Sequence, residues 1–204
     1  MVTGKANTWP FPHGKEWGAC LRKQLADYFG SKGIPASIRY PYIIEKHSAT
    51  DWHKNIIVDR VWKHIEYQKK ERQAQRKSFA LHKYIHHGLS SQAFLFNLLG
   101  PLVVDKQWYI FNKIINQAGI QLLTNITDAE FEFEDRDIFK EQQAQPTSID
   151  LCLYTREAPK VFIEFKSTER NFAGCSVFNS GDCDGRNPAK DFNSCHLHHI
   201  GRRY

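Results

Sequence analysis

The chain predicts a mixed α+β fold, and three observations carry that prediction. Apolar residues at helical spacing recur through the first 120 positions. A strictly alternating run, Ala129 to Glu134, follows them. Two apolar runs joined by a turn-prone segment then occupy 149–166. Helices that precede a set of consecutive antiparallel strands give an α+β core. The 204 residues, 41% hydrophobic and 13% aromatic, suffice for one large domain or one domain with an appendage, built on a real core.

The elements follow in order. Trp17, Leu21, Leu25 and Phe29 recur at helical spacing over 15–30, and Gly30 and Gly33 close that element. Pro35 to Ile44 reads as extended, with two prolines and the apolar Tyr42-Ile43-Ile44. A long helix is expected from an Asp51 N-cap, with Ile57, Val61, Trp62 and Ile65 on one face. It runs into the tract 69–77, where Lys69, Lys70, Arg72, Arg76 and Lys77 leave almost no apolar face. This is a solvated helix face or a cationic wall along a nucleic-acid groove. Ser90-Ser91-Gln92 opens an apolar helix from Ala93 to Leu99, stopped by Gly100-Pro101. A further amphipathic helix spans Asp105 to Ala118, with Trp108, Phe111, Ile114 and Ile115 inward and Gly119 as its C-cap.

The hairpin carries the chemistry. Side chains on a strand alternate faces, so Glu164 and Lys166 share one face while Val161, Ile163 and Phe165 take the other. In the first run Ile149, Leu151 and Leu153 lie together and Asp150 lies opposite. The turn-prone 155–160 makes the pair antiparallel and brings Asp150 to Glu164, with Lys166 beside them. Two carboxylates and an ammonium converging on a sheet suit a hard divalent ion, Mg²⁺ or Mn²⁺, and phosphodiester hydrolysis. Asp150, Glu164 and the Phe165 backbone carbonyl are the expected ligands. Lys166 is expected to orient or deprotonate the attacking water, or to balance charge in the transition state. The rival is an exposed hairpin face with an ordinary cross-strand ion pair.

An acid on one strand, then Glu-x-Lys on the next (Ile149-Asp150 and Glu164-Phe165-Lys166), resembles the PD-(D/E)XK nuclease superfamily of restriction-endonuclease-like enzymes. Ile149 stands where that pattern usually has proline. The 89–93 helix start, the Phe131-Glu132 strand and the 162–169 stretch look like an uncharacterised bacterial group of restriction-endonuclease-like proteins, over roughly 85–170. The resemblance implies a three-layer α/β/α core around a mixed central sheet, Mg²⁺ or Mn²⁺ dependence, and DNA as substrate. It divides the chain into an N-terminal helical extension, 1–84, and a nuclease core with a Cys/His-containing segment, 85–204. Superfamily members often add a further carboxylate, and Glu132 is the choice among Glu130, Glu132 and Glu134. The alternative for that row is a solvated edge-strand face. Gln92 either approaches the scissile phosphate or a metal-bound water, or satisfies backbone groups at its helix start.

Cys175, Cys183 and Cys195, with His198, offer a tetrahedral Zn²⁺ site in a segment of little apolar content. Some nucleases of the resembled superfamily instead staple their termini with an iron–sulfur cluster, for which Cys20 is the fourth ligand here. Three unrelated thiols are the third reading. Cys152 shares the Asp150 face and either lines the site or packs. His82 and His86 have the spacing of one helix face and read as surface histidines.

The balance of 28 basic against 22 acidic residues, +6 overall, favours nucleic acid over acidic small molecules. No apolar run approaches the ~20 residues of a membrane span, and the first residues lack a secretory signal's apolar core. A cytoplasmic location with reduced thiols is therefore expected. The rival to a DNA endonuclease is a catalytically inactive nucleic-acid-binding module with a zinc-stiffened C-terminal segment. Double-strand cutting requires two sites, hence a homodimer or successive nicks.

Overall fold

The computed structural model describes residues 14–119, 125–139, 148–156 and 160–166. Among them the order is α1 (Gly14–Ser31), a 3-10 turn (Asp51–Asn55), α2 (Asp59–Ala74), α3 (Ser91–Val104), α4 (Trp108–Gln117), β1 (Ile126–Glu134), the one-turn α5 (Arg136–Phe139), β2 (Ser148–Thr155) and β3 (Val161–Ile163). The fold is mixed α+β, and the sheet among these residues is antiparallel throughout, in the order β1-β2-β3. The Cys/His segment with Cys175, Cys183, Cys195 and His198 lies outside the described residues.

Apolar spacing accounts for the core. Val61 and Ile65 of α2, Leu95 and Phe96 of α3, and Phe111 and Ile115 of α4 are buried together with Phe131, Leu151 and Leu153 from the sheet. Trp52 and Ile56 belong to the same cluster, so α2 and the turn before it pack in one core with α3 and the strands. Phe96 meets Phe131 edge-on at 5.1 Å, the preferred geometry of aromatic pairs.

Besides Ile114 of α4, expected inward but 48% exposed, three expectations change. The helix expected from Asp51 is interrupted, and Ile57 is 64% exposed rather than inward. Asp51 opens a 3-10 turn that ends at Asn55, and its carboxylate takes an ion pair from Lys54 and hydrogen bonds from the Ser48 and His47 amides. These hold the carboxyl well below its usual range. Asn97 then secures the break from α3, accepting from the Ile57 amide and donating to the Asn55 carbonyl. Secondly, α3 does not stop at Gly100-Pro101 but continues to Val104 with Pro101 inside it. Its ring removes one hydrogen bond of the ladder, and burial of Val103 offsets that loss. Thirdly, 35–44 forms only single bridges, Ala36 to Ile44 and Ile43 to His87.

Gly100 explains why α2 and α3 can lie so close. A Cβ built there would fall 2.5 Å from Val61 Cγ1, and Val61 is fully buried with a stiff, branched side chain. Gly100→Ala is therefore expected to destabilise by about 1–2 kcal/mol despite alanine's better helix propensity. Urea denaturation of Gly100→Ala in wild-type and Val61→Ala backgrounds checks this, the loss shrinking in the second. Equal losses in both backgrounds would refute the close-packing account.

Candidate active site

The register of the sheet sets acids side by side. Phe131 pairs with Leu151 and Phe133 with Ile149, so Glu132 stands opposite Asp150. On the other side Leu151 pairs with Ile163, and the next rung sets Glu164 beside Asp150. The chain past β3 stays against β2, because the Phe165 amide donates to Asp150 Oδ2 at 2.7 Å. Lys166 Nζ donates to Glu164 Oε1 at 2.6 Å, as their shared face requires. Asp150, Glu164 and Lys166 thus stand on neighbouring segments. Phe165 points the other way, toward the core, with its ring 5.4 Å from that of Phe94.

Glu132 differs in environment from the other acids. It is 3% exposed and its backbone lies in the left-handed region, at φ 53°. A glutamate there costs on the order of 1–3 kcal/mol and persists only where its surroundings enforce it. The bend breaks the alternation of β1: Phe131 enters the core, while Phe133 stacks on Phe162 and stands edge-on to Tyr154. Glu132 Oε1 accepts from Gln92 Nε2 at 2.6 Å and Oε2 from the Ser148 hydroxyl at 2.7 Å. Burial pushes its carboxyl up to about 7, against these two hydrogen bonds, and the charge of Asp150 pushes the same way.

Gln92 is fully engaged. Besides Glu132 it donates to the Ala80 carbonyl and accepts from the His82 amide, each at 2.8 Å. It satisfies backbone groups of the preceding loop, while the cap of α3 is Ser90, whose hydroxyl accepts from the Ala93 amide. Ser148 went unnoticed in the sequence, although it lies two residues before Asp150 and so on the same strand face. Cys152 is fully buried, and burial raises its thiol to about 11, so it packs as a small apolar residue.

The basic tract divides. Lys70, Arg76 and Lys77 are exposed, and the latter two lie beyond the end of α2. Lys69 is half-buried beside Glu66, at 3.6 Å. Arg72 is no part of a cationic wall: it is 7% exposed and its guanidinium faces β1. One of its ends donates to the Glu132 carbonyl at 2.5 Å, the other to the Phe131 carbonyl at 2.7 Å and to Glu130 Oε1 at 2.5 Å. Glu130 also accepts from the Tyr154 hydroxyl, and Glu134 from Ser78. The row Glu130, Glu132 and Glu134 is therefore not a solvated edge face. The segment from Arg72 to Gln92 covers it. A cleft of about 230 Å³, lined by Lys77, Glu130, Phe133, Tyr154 and Lys160, opens beside this network. His82, His86 and His87 lie in a loop rather than on a helix, and burial lowers the pKa of His86 and His87.

Among the described residues no group of three His, Cys, Asp or Glu side chains is arranged to hold a metal ion. What the Asp150 rung offers is oxygen: two carboxylates, Asp150 and Glu164, with the Phe165 main chain between Glu164 and Lys166. That chemistry suits a hard cation such as Mg²⁺ or Mn²⁺. Glu132, already committed to Gln92 and Ser148, is a neighbour of the rung.

A family model, restriction endonuclease associating with ARP, matches residues 20–203 of the chain. No curated protein and no solved structure matches it.

The environment of Glu132 has a measurable consequence. Its folded pKa of about 7 exceeds the 4.5 of a free side chain. Between those values the folded protein holds a proton that the unfolded chain has released, so stability falls as pH rises through this window. Glu132→Gln removes the titration and keeps the shape. Its stability relative to wild type is expected to rise between pH 4.5 and 7 by up to roughly 3 kcal/mol and to level off above. Urea titrations across that range check this, and a difference independent of pH would contradict it.

Proposed function

This chain belongs to the family of restriction endonucleases associating with ARP, and on that premise we propose that it is a divalent-metal-dependent DNA endonuclease using Asp150, Glu164 and Lys166. The observation that carries the proposal is the adjacency of Asp150 to the Glu164-Phe165-Lys166 segment, fixed by the Phe165 amide on Asp150. An acid beside Glu-x-Lys at a sheet margin, in a member of a nuclease family, supports phosphodiester hydrolysis over an ordinary surface ion pair.

In this reading Asp150, Glu164 and the Phe165 carbonyl hold Mg²⁺ or Mn²⁺. When bound, such an ion neutralises the scissile phosphate and makes water a better nucleophile. Lys166 supplies an ammonium at the same margin. It is held by Glu164 in the resting protein and orients the attacking water or balances charge as the phosphate accepts it. Glu132 and Gln92 act behind this rung. A protonated Glu132 carboxyl limits like-charge repulsion on Asp150, and Gln92 together with Ser148 fixes where that carboxyl points. The exposed Lys70, Arg76 and Lys77 provide phosphate contacts that draw DNA to the molecule. The substrate's polyanionic backbone matches the chain's +6 charge.

The test is cleavage of plasmid and single-stranded DNA with and without Mg²⁺ or Mn²⁺. Asp150→Asn and Lys166→Ala are each expected to lower the rate by roughly 100-fold or more while leaving the melting temperature within a few degrees of wild type. Chelation is expected to abolish cleavage. Equal rates for wild type and Lys166→Ala would end the enzymatic reading.

A further inference from the structure

The geometry points to Arg72 as a positioning residue for the proposed cleavage: from α2 its guanidinium clamps the bend of β1 that sets Glu132 opposite Asp150. This inference rests on the nuclease reading above and gives Arg72 a part in the reaction that a DNA-contacting helix face would not have.

The argument begins with the backbone. In a regular strand successive carbonyls point in opposite directions, toward the two neighbouring strands. Here one guanidinium reaches both the Phe131 and the Glu132 carbonyls, at 2.7 and 2.5 Å. Two consecutive carbonyls meet one group only because β1 turns at Glu132, at φ 53°. The residue is a glutamate, with no intrinsic preference for that conformation, so something outside the strand must hold it. Arg72 is what the structure supplies. Its planar fork is anchored from behind, by Glu130 on Nη2, by the Ser78 carbonyl on Nη1 and by the Phe79 ring 4.9 Å away. A lysine ammonium keeps the charge but cannot span two carbonyls and a carboxylate in one plane.

The bend reaches the candidate site directly. Glu132 stands across from Asp150, and its carboxyl is fixed by Gln92 and Ser148. If the bend relaxes toward a regular strand, Glu132 swings away from both partners and its placement across from Asp150 changes with it. Arg72 holds main-chain carbonyls of β1, those of Phe131 and Glu132, so its influence runs through the strand. Its burial, at 7% exposure, separates it from the exposed Lys70, Arg76 and Lys77.

The test uses the full chain, Mg²⁺ or Mn²⁺, and plasmid DNA. Arg72→Lys is expected to lower kcat on the order of 100-fold with KM for DNA within about twofold of wild type, at a temperature well below the measured Tm. A raised KM with kcat intact would make Arg72 a DNA contact, and no change in either would remove its role; both overturn the inference. Should Arg72→Lys fail to fold, Glu130→Gln, which neutralises the carboxylate behind the fork, carries the test, with Tyr154→Phe as the control for the other bond Glu130 makes. It is expected to show the same split at about tenfold, and an unchanged kcat refutes it. Amide hydrogen exchange provides a readout free of catalysis. In Arg72→Lys the amides of 131–133 and 150–152 are expected to exchange on the order of tenfold faster than in wild type, with α4 unaffected, whereas a uniform change would count against a local clamp. If the wild-type protein cleaves no DNA, the nuclease reading falls, and exchange alone decides whether Arg72 holds the bend.

Discussion

A buried carboxyl on a bent strand is the constraint around which the candidate site is organised. Glu132 lies out of water in a backbone conformation that glutamate does not prefer, and each of its oxygens is given a donor. An unpaired buried carboxylate would cost several kcal/mol. Gln92, Ser148 and a pKa near 7 are the means by which the fold lowers that cost. The same constraint accounts for the position of α3: its first turn must lie over β1 for Gln92 to reach Glu132, and the close contact of Gly100 with Val61 lets α3 and α2 approach together.

Arg72 completes this arrangement from the other side. A buried guanidinium requires that nearly all its donors be satisfied, and the bend of β1 provides two carbonyls that no regular strand would present together. The bend needs the cation and the cation needs the bend. That mutual dependence is why a charged residue in a markedly basic tract is turned inward while its neighbours remain in solvent. Its partner Glu130 is in turn held by the Tyr154 hydroxyl, so α2, β1 and β2 are joined through one set of polar contacts.

The rung that bears the proposed chemistry lies at the margin of this buried network. Asp150 and Glu164 are more accessible than Glu132, and Lys166 is ion-paired with Glu164. A gradient from a rigid, neutral-leaning interior to a charged and accessible margin is a sensible layout for a hydrolytic site. In such a layout an interior fixes geometry while a margin is left to meet substrate.

Much of this was legible in residue order. The period of apolar residues specified α1, α4 and the three strands, because burial of one face imposes that period locally. The adjacency of Asp150 to Glu164-Phe165-Lys166 followed from strand alternation and a short turn, both of which act over fewer than about twenty residues. What the chain alone could not reveal depends on long-range contacts. Arg72 meets the Glu132 carbonyl across 60 residues and Gln92 meets its carboxyl across 40. Helical spacing places Arg72 on the face of α2 that Val61 and Ile65 bury, but that face has turned polar by 69–77 and gives no apolar mark of burial, and nothing in Glu130-Phe131-Glu132 announces a left-handed residue, since glycine is absent there. The continuation of α3 through Pro101 and the interruption of the helix after Asp51 have the same origin. Local signals set which elements can form, whereas packing against distant partners decides where each one ends and which polar groups it must satisfy.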